Sequence, residues 1–181
     1  MGSIQYKEIR MGKRILIAYA TRYGSTREVA QAVGKVLQEA GAEVDVLNIQ
    51  DITDITPYQG VIIGSAARMG KLYASAVKFV NKHAKELVRV PTAYFYVGTT
   101  MNQDTLENRK KAGEVLEPLR KAKEPESIGF FGGKVDPAKL EPFWRFIVSF
   151  VKEGAMAPGD YRDWNAVNSW AKSLIPILIK A

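Results

Sequence analysis

Runs of apolar residues alternate along this chain with segments whose apolar positions recur every three to four residues. Five runs read as strands: residues 13–20 (KRILIAYA), 44–49, 60–65 (GVIIGS), 92–98 (TAYFYVG) and 127–132 (SIGFFG). Near-continuous apolar runs of this length suit parallel strands covered on both faces. The intervening segments read as helices. Over residues 25–40, Val29, Val33, Val36, Leu37 and Ala40 share one face; over 72–87, Leu72, Ala76, Val80, Ala84 and Leu87 do the same. Residues 105–121 form a polar-rich helix. A last helix over 163–175 starts at an Asp163 cap and closes near Pro176. Only a short connection with Pro57 separates the second and third strands. The alternation predicts an α/β fold with a doubly wound, five-stranded parallel sheet in the order 2-1-3-4-5 and right-handed crossovers.

One segment does not fit that plan. Residues 134–159 lie between the fifth strand and the last helix and contain an extra helix over 137–152. Leu140, Phe143, Trp144, Ile147 and Val151 form a stripe, and Phe146, Val148 and Phe150 fall partly outside it. A helix apolar over more than one face is either deeply buried or offers a patch to a partner or membrane. Gly154 and Pro158-Gly159 then break the chain. No repeat, low-complexity tract or linker divides the rest. One domain is expected over 13–177, preceded by an N-terminal extension, residues 1–12, with no apolar run.

Composition narrows the chemistry. Of 181 residues, 46% are hydrophobic and 25% charged, which is ordinary globular usage. No stretch approaches the roughly 20 apolar residues that span a bilayer. Cysteine is absent, which excludes disulfides, thiolate catalysis and zinc–cysteine sites, and a single histidine, His83, is too few for the usual histidine metal sites. No metal is expected, and the compartment expected is the cytoplasm. The net charge of +7 suits anionic partners or plain solubility. Lys and Arg are spread along the chain rather than gathered in an arm, so nucleic acid is not expected.

In open α/β sheets, ligands bind beyond the carboxyl ends of the strands. Three loops lie there. The first is Thr21, Arg22, Tyr23, Gly24, Ser25 and Thr26. Its hydroxyls and the N–H groups of the helix it opens suit a phosphate, and Gly24 allows close approach or positive φ. Ser25 and Glu28 equally match a capping box, so a plain helix cap remains open. The second loop runs through Ser65, Ala66, Ala67, Arg68, Met69 and Gly70 to Tyr73; small residues at a strand end leave room for a ring, or simply make an ordinary strand-to-helix turn. The third is Gly98, Thr99, Thr100, Met101 and Asn102, followed by Gln103 and Asp104. Its polar groups suit a heterocycle edge, or a plain loop before a helix cap.

The T-R-Y-G-S-T of the first loop, between I-L-I-A-Y-A and R-E-V-A, resembles the phosphate loop of flavodoxins, which bind flavin mononucleotide (FMN). A dinucleotide fingerprint is absent. A Walker A motif fails too, because GSAARMGK has five residues between its glycines and Leu72 follows where Ser or Thr belongs. The stretch VIIGSAARMGKLYASAVKFVNKHAKEL resembles the menaquinone-dependent protoporphyrinogen IX dehydrogenase branch of the family. There a G-[AS]-x-x-R-x-G-x-x-[YH] pattern lies beside the flavin, matched in outline by Gly64, Ser65, Arg68, Gly70 and Tyr73. The segment before the last helix, and GDYRDWNAVNSWA, are similar to that branch as well. The third loop departs from it.

The resemblance implies FMN bound by the three loops, with a porphyrinogen as donor and a quinone as acceptor, in a haem-biosynthetic flavoprotein oxidoreductase. Quinone chemistry would suit peripheral membrane contact through 137–152. The alternative it implies is an electron carrier docking on a redox protein. Carriers usually stack an aromatic on each flavin face and are acidic, whereas this chain offers Met69, Tyr73 and Met101 and is basic. No catalytic acid or base stands out. His83 reads as a partly buried structural residue, and Trp144, Trp164 and Trp170 as packing residues. The tail Ile177-Leu178-Ile179 is expected to rest on the domain or a membrane. Arg22, Arg68, Lys71 and Lys134 are candidates to surround the site, or scattered solvated charge.

Overall fold

The computed structural model describes residues 12–68, 70–151 and 157–180, and Arg68 by its backbone. Met69, Lys152, Gly154 and residues 1–11, on which some expectations fall, lie outside them. The strands are β1 (Arg14–Ala20), β2 (Glu43–Asn48), β3 (Gly60–Arg68), β4 (Lys71–Leu72), β5 (Thr92–Val97), β6 (Ser127–Phe131), β7 (Lys134–Val135) and β8 (Gly159–Asp160). The helices are α1 (Ser25–Glu39), α2 (Ala74–Lys82), α3 (Ala84–Leu87), α4 (Leu106–Val115), α5 (Glu117–Arg120), α6 (Pro142–Ser149) and α7 (Trp164–Leu178). Five parallel strands lie in the order β2-β1-β3-β5-β6. Counted among themselves, that is the order 2-1-3-4-5 read from the sequence. This is the flavodoxin fold. The short β4 folds back antiparallel on β3, and β7 pairs antiparallel with β8 away from the main sheet.

The pleat divides the apolar runs between two cores. Leu16, Ala18, Val61, Ile63, Tyr94 and Tyr96 face α2, α3 and the α4–α5 region; Ile15, Ile17, Ile62, Ala93, Phe95 and Val97 face α1 and α7. Successive strand residues point to opposite faces, so a doubly covered strand must be apolar at every position. Burying each large aliphatic side chain stabilises the fold by roughly 1.5–3 kcal/mol. Gly64 carries no side chain because a Cβ there would lie 1.9 Å from the Phe95 ring.

Several predicted helices are interrupted. The segment 72–87 begins as strand, because Leu72 pairs with Ala67; the helix starts at Ala74 and breaks at His83. The His83 carbonyl then accepts the N–H groups of Glu86 and Leu87, and the kinked path keeps Leu87 fully buried. His83 is buried, tilted against the Phe79 ring. The 105–121 helix divides at Leu116, because Pro118 has no N–H and its ring would clash with the preceding turn. The extra helix is shorter than 137–152. A 3₁₀ turn at Pro137–Lys139 precedes α6, which begins at Pro142, a residue suited to a first helical position.

The last helix is longer than expected. Asp163 caps it, accepting the N–H groups of Asn165 and Ala166 at 2.9 and 3.0 Å, but α7 continues through Pro176 to Leu178. A proline so near the end costs one helical hydrogen bond, while Leu174 and Leu178 are fully buried. The tail therefore packs on the domain. Trp170 packs edge-on to Phe95 and Phe131, and its Nε1–H donates to Ser127 Oγ.

Candidate functional site

The first loop turns from β1 into α1. Thr21 Oγ1 accepts the Gly24 N–H at 3.1 Å, and Gly24 adopts a left-handed φ of 95° at the helix N-cap. Its carbonyl accepts the first helical hydrogen bond, from Glu28 N–H. The N–H groups of Ser25, Thr26 and Arg27 therefore precede the first closed turn, and among the described residues no side chain caps them. The capping box is not formed. Glu28 instead accepts a hydrogen bond from Arg162 at 2.6 Å, because a guanidinium is a stronger partner than a backbone amide. The Thr26 hydroxyl is fully buried and without a hydrogen-bond partner among the described residues. A buried, unmatched hydroxyl beside helix N–H groups of the first turn is a combination suited to an anion.

The second loop is a tight hairpin rather than a strand-to-helix turn. Ala67 pairs with Leu72 and Arg68 with Lys71, and Gly70 makes the turn at φ 71°. The third loop is a 3₁₀ turn at Thr99–Asn102. Met101 is buried in the core beneath it. The phenol of Tyr96 titrates above its ordinary range because burial disfavours the anion, an effect partly offset by a hydrogen bond with Thr100.

A fourth structure meets these loops. Residues 132–151 and 157–161 form a strap built from β7, α6 and β8, crossing from the end of β6 to the first loop. Polar ties among the described residues hold it. Asn102 Oδ1 accepts the Gly133 N–H at 3.2 Å, Arg22 pairs with Glu141, and Arg162 bridges Glu28 at 2.6 Å and Asp160 at 2.5 Å. The Arg162 side chain is 4% exposed. It holds both carboxyls below their ordinary pKa, chiefly through hydrogen bonds to the charged forms, and its own pKa rises. Gly132 permits the crossing, since a Cβ there would lie 2.2 Å from the Tyr161 carbonyl oxygen.

Between the three loops and the strap lies a cavity of about 320 Å³, within the range of small-molecule sites. Thr21, Arg22, Tyr23 and Ser25 line one end; Ala66, Ala67, Gly70 and Tyr73 line another part. Val97, Gly98 and Thr99 come from the third loop and the strand before it. Gly133, Lys134, Val135, Leu140, Trp144 and Val148 form the strap's wall. A family model, the flavodoxin domain, matches residues 16–162, a span holding all four of these walls. The chain belongs to the flavodoxin-domain family.

Relatives agree with that assignment. A protoporphyrinogen IX dehydrogenase [quinone] of Escherichia coli (strain K12) is 26% identical over 172 residues, covering 89% of this chain and 94% of that one. Oxidised flavodoxin 1 from Bacillus cereus superposes with a TM-score of 0.57 at 14% identity, over 90% of this chain and 97% of that one. A Fusobacterium nucleatum flavodoxin mutant bound to flavin mononucleotide gives 0.54 at 15% identity, covering 93% and 96%.

Within this flavodoxin domain the expected site residues divide. Thr21, Arg22, Tyr23, Ser25, Ala66, Ala67, Gly70, Gly98 and Thr99 line the cavity, and Gly24 borders a polar groove beside it. Ser65 is fully buried and donates to the Ala66 carbonyl. Asn102 supports the strap, and Thr100 and Met101 support the loop from within. Met69 and the Arg68 side chain lie outside the description. Of the strap's wall, sequence reasoning picked out Lys134 and missed the apolar residues. Trp144, expected to be a packing residue, lines the cavity, as does Val148, which had been placed off the stripe. The spacing Leu140–Trp144–Val148 was the available signal: every fourth residue, on one helical face. Phe143, Phe146, Ile147 and Phe150 are exposed on the rest of α6.

Proposed function

We propose that this protein binds FMN in the strap-walled cavity and acts as an oxidoreductase that dehydrogenates a porphyrinogen and passes the electrons to a quinone. The observation that carries the reading is the cavity itself, which joins an anion-binding helix end to a slot of small and apolar residues at the strand ends. The residues fit the cofactor. The buried, unpartnered Thr26 hydroxyl, the Thr21 hydroxyl and the N–H groups of Ser25, Thr26 and Arg27 would hold the phosphate. The second and third loops would border the ring, Ala66, Ala67, Gly70, Gly98 and Thr99 leaving it space.

The flavin, when bound, supplies the electron-accepting and electron-donating chemistry. The protein's residues bind, orient and exclude water. Val135, Leu140, Trp144 and Val148 give an apolar wall, and the exposed Lys134 offers a cation to an acidic donor. A carrier docking on redox proteins needs an accessible ring, and the strap's wall beside the cavity favours a small-molecule substrate instead. The E. coli relative, named for protoporphyrinogen IX and quinone, supports this substrate class. The exposed Phe143, Phe146 and Phe150 support a cytoplasmic protein whose α6 touches the membrane where quinones reside.

The test is stepwise. The purified protein should show flavin absorbance or take up FMN on titration, and should then oxidise protoporphyrinogen IX only when a quinone is supplied. FMN uptake without turnover on any quinone would leave the carrier reading. Vesicles of phosphatidylglycerol should co-sediment the protein, and less so after Phe146→Ser with Phe150→Ser.

A further inference from the structure

The three loops at the strand ends give the cavity two tyrosines, Tyr23 and Tyr73; the strap adds an indole. Trp144 is half-buried, and Val148, one turn on, and Leu140, in the extended link before α6, line the same cavity. The stripe is held in place rather than merely adjacent. The Asn102–Gly133 bond ties it to the third loop, and the Arg22–Glu141 and Arg162–Glu28 pairs tie it to the first loop and α1. Phe143 meets the indole edge-on, with ring centroids 5.6 Å apart, and so buttresses it. A flat tricyclic ring is held best against flat apolar and aromatic surfaces. Met101, the third loop's bulkiest apolar residue, is turned into the core and offers none.

We propose, resting on the reading of this cavity as an FMN site, that Trp144 contacts the cofactor and supplies an aromatic face to the isoalloxazine ring. The strap is then part of the cofactor site. The flavin's environment is set by a helix outside the five-stranded plan, and the phosphate and the ring are held by separable groups. The phosphate is held by the first loop and the ring in part by α6.

The experiment compares FMN with riboflavin, which carries the ring without the phosphate. Losing an aromatic stack on a heterocycle weakens binding measurably, so Trp144→Ala should weaken FMN and riboflavin alike by about tenfold. It should also alter the visible circular dichroism of the bound flavin and remove part of the tryptophan quenching. Trp144→Phe should restore most of the affinity and guards against a folding defect. Phe150→Ser, on the exposed face, should leave flavin affinity unchanged. If the wild type binds FMN and both Trp144 variants bind it equally well, with the same dichroism, the indole does not touch the ring and the assignment is wrong. If the wild type binds no FMN, the cofactor reading itself falls.

Discussion

The sheet and the strap are both rich in large apolar residues, but they are held by different forces. In β1, β3 and β5 every residue from Ile15 to Ala18, from Val61 to Ile63 and from Ala93 to Val97 is almost fully buried, on one helical layer or the other. In α6 and at its C-cap, Val148 is fully buried while Phe143, Phe146 and Phe150 are 66%, 63% and 71% exposed. Burial on both faces, together with the parallel backbone hydrogen-bond ladder, fixes the sheet. The strap, with fewer buried residues, depends more on polar ties: Asn102 to Gly133, Arg22 to Glu141, and Arg162 to Glu28 and Asp160. An element held by a few directional contacts can loosen without unfolding the domain, which suits the wall of a site that must admit a cofactor and a substrate.

The largest expected effect lies in the sheet. Phe95→Ala removes a fully buried ring from between α7 and β6 and should cost about 3–5 kcal/mol in urea unfolding. Cavity and strap should be lost together with the sheet in one transition. Arg162→Met attacks the strap instead. Breaking a buried ion pair costs several kcal/mol, but both carboxylates are more than a third exposed, so about 1–2 kcal/mol is expected. Hydrogen exchange at the Tyr161 and Gly133 amides should quicken in this variant while exchange at β1 and β5 stays slow. Equal acceleration throughout would mean that the two regions are one cooperative unit.

Thr26→Val separates site from stability. It replaces a buried, unpartnered hydroxyl with a methyl of the same shape, so stability without ligand should change by less than about 0.5 kcal/mol or rise, while FMN affinity falls about tenfold. Unchanged FMN affinity would place the phosphate elsewhere.

The smallest effect is acid loosening of the strap. Arg162 lowers the folded-state pKa of Glu28 and Asp160, so their contribution is fully present above the ordinary carboxylate range of about 4 and is lost as pH falls through the lowered values. Exchange at strap amides should therefore rise below about pH 4, before exchange in the sheet does.

Much of the fold was legible because the sheet obeys local rules. Apolar runs covered on two faces give the five parallel strands, and the alternation with amphipathic helices gives the order. The Asp163 cap was legible for the same reason. Helix continuity was not. The break at His83 and the passage of α7 through Pro176 depend on whether Leu87, Leu174 and Leu178 reach a core, which no local pattern states. In the site, the loop residues were readable from their place at strand ends and from the hydroxyls and glycines they carry. The role of Glu28 stayed open, since a capping box and an ion pair to a residue 134 positions away use the same carboxylate.

The doubly wound sheet, the flavodoxin resemblance and the three loops can be read from the chain alone, because strand burial, periodicity and loop chemistry are written within a few residues of each other. That the extra segment crosses the cavity and turns Leu140, Trp144 and Val148 inward emerges only once the chain is folded. Which face of a doubly apolar helix is buried depends on ties to Asn102, Arg22 and Glu28, residues remote in the chain and near only after folding.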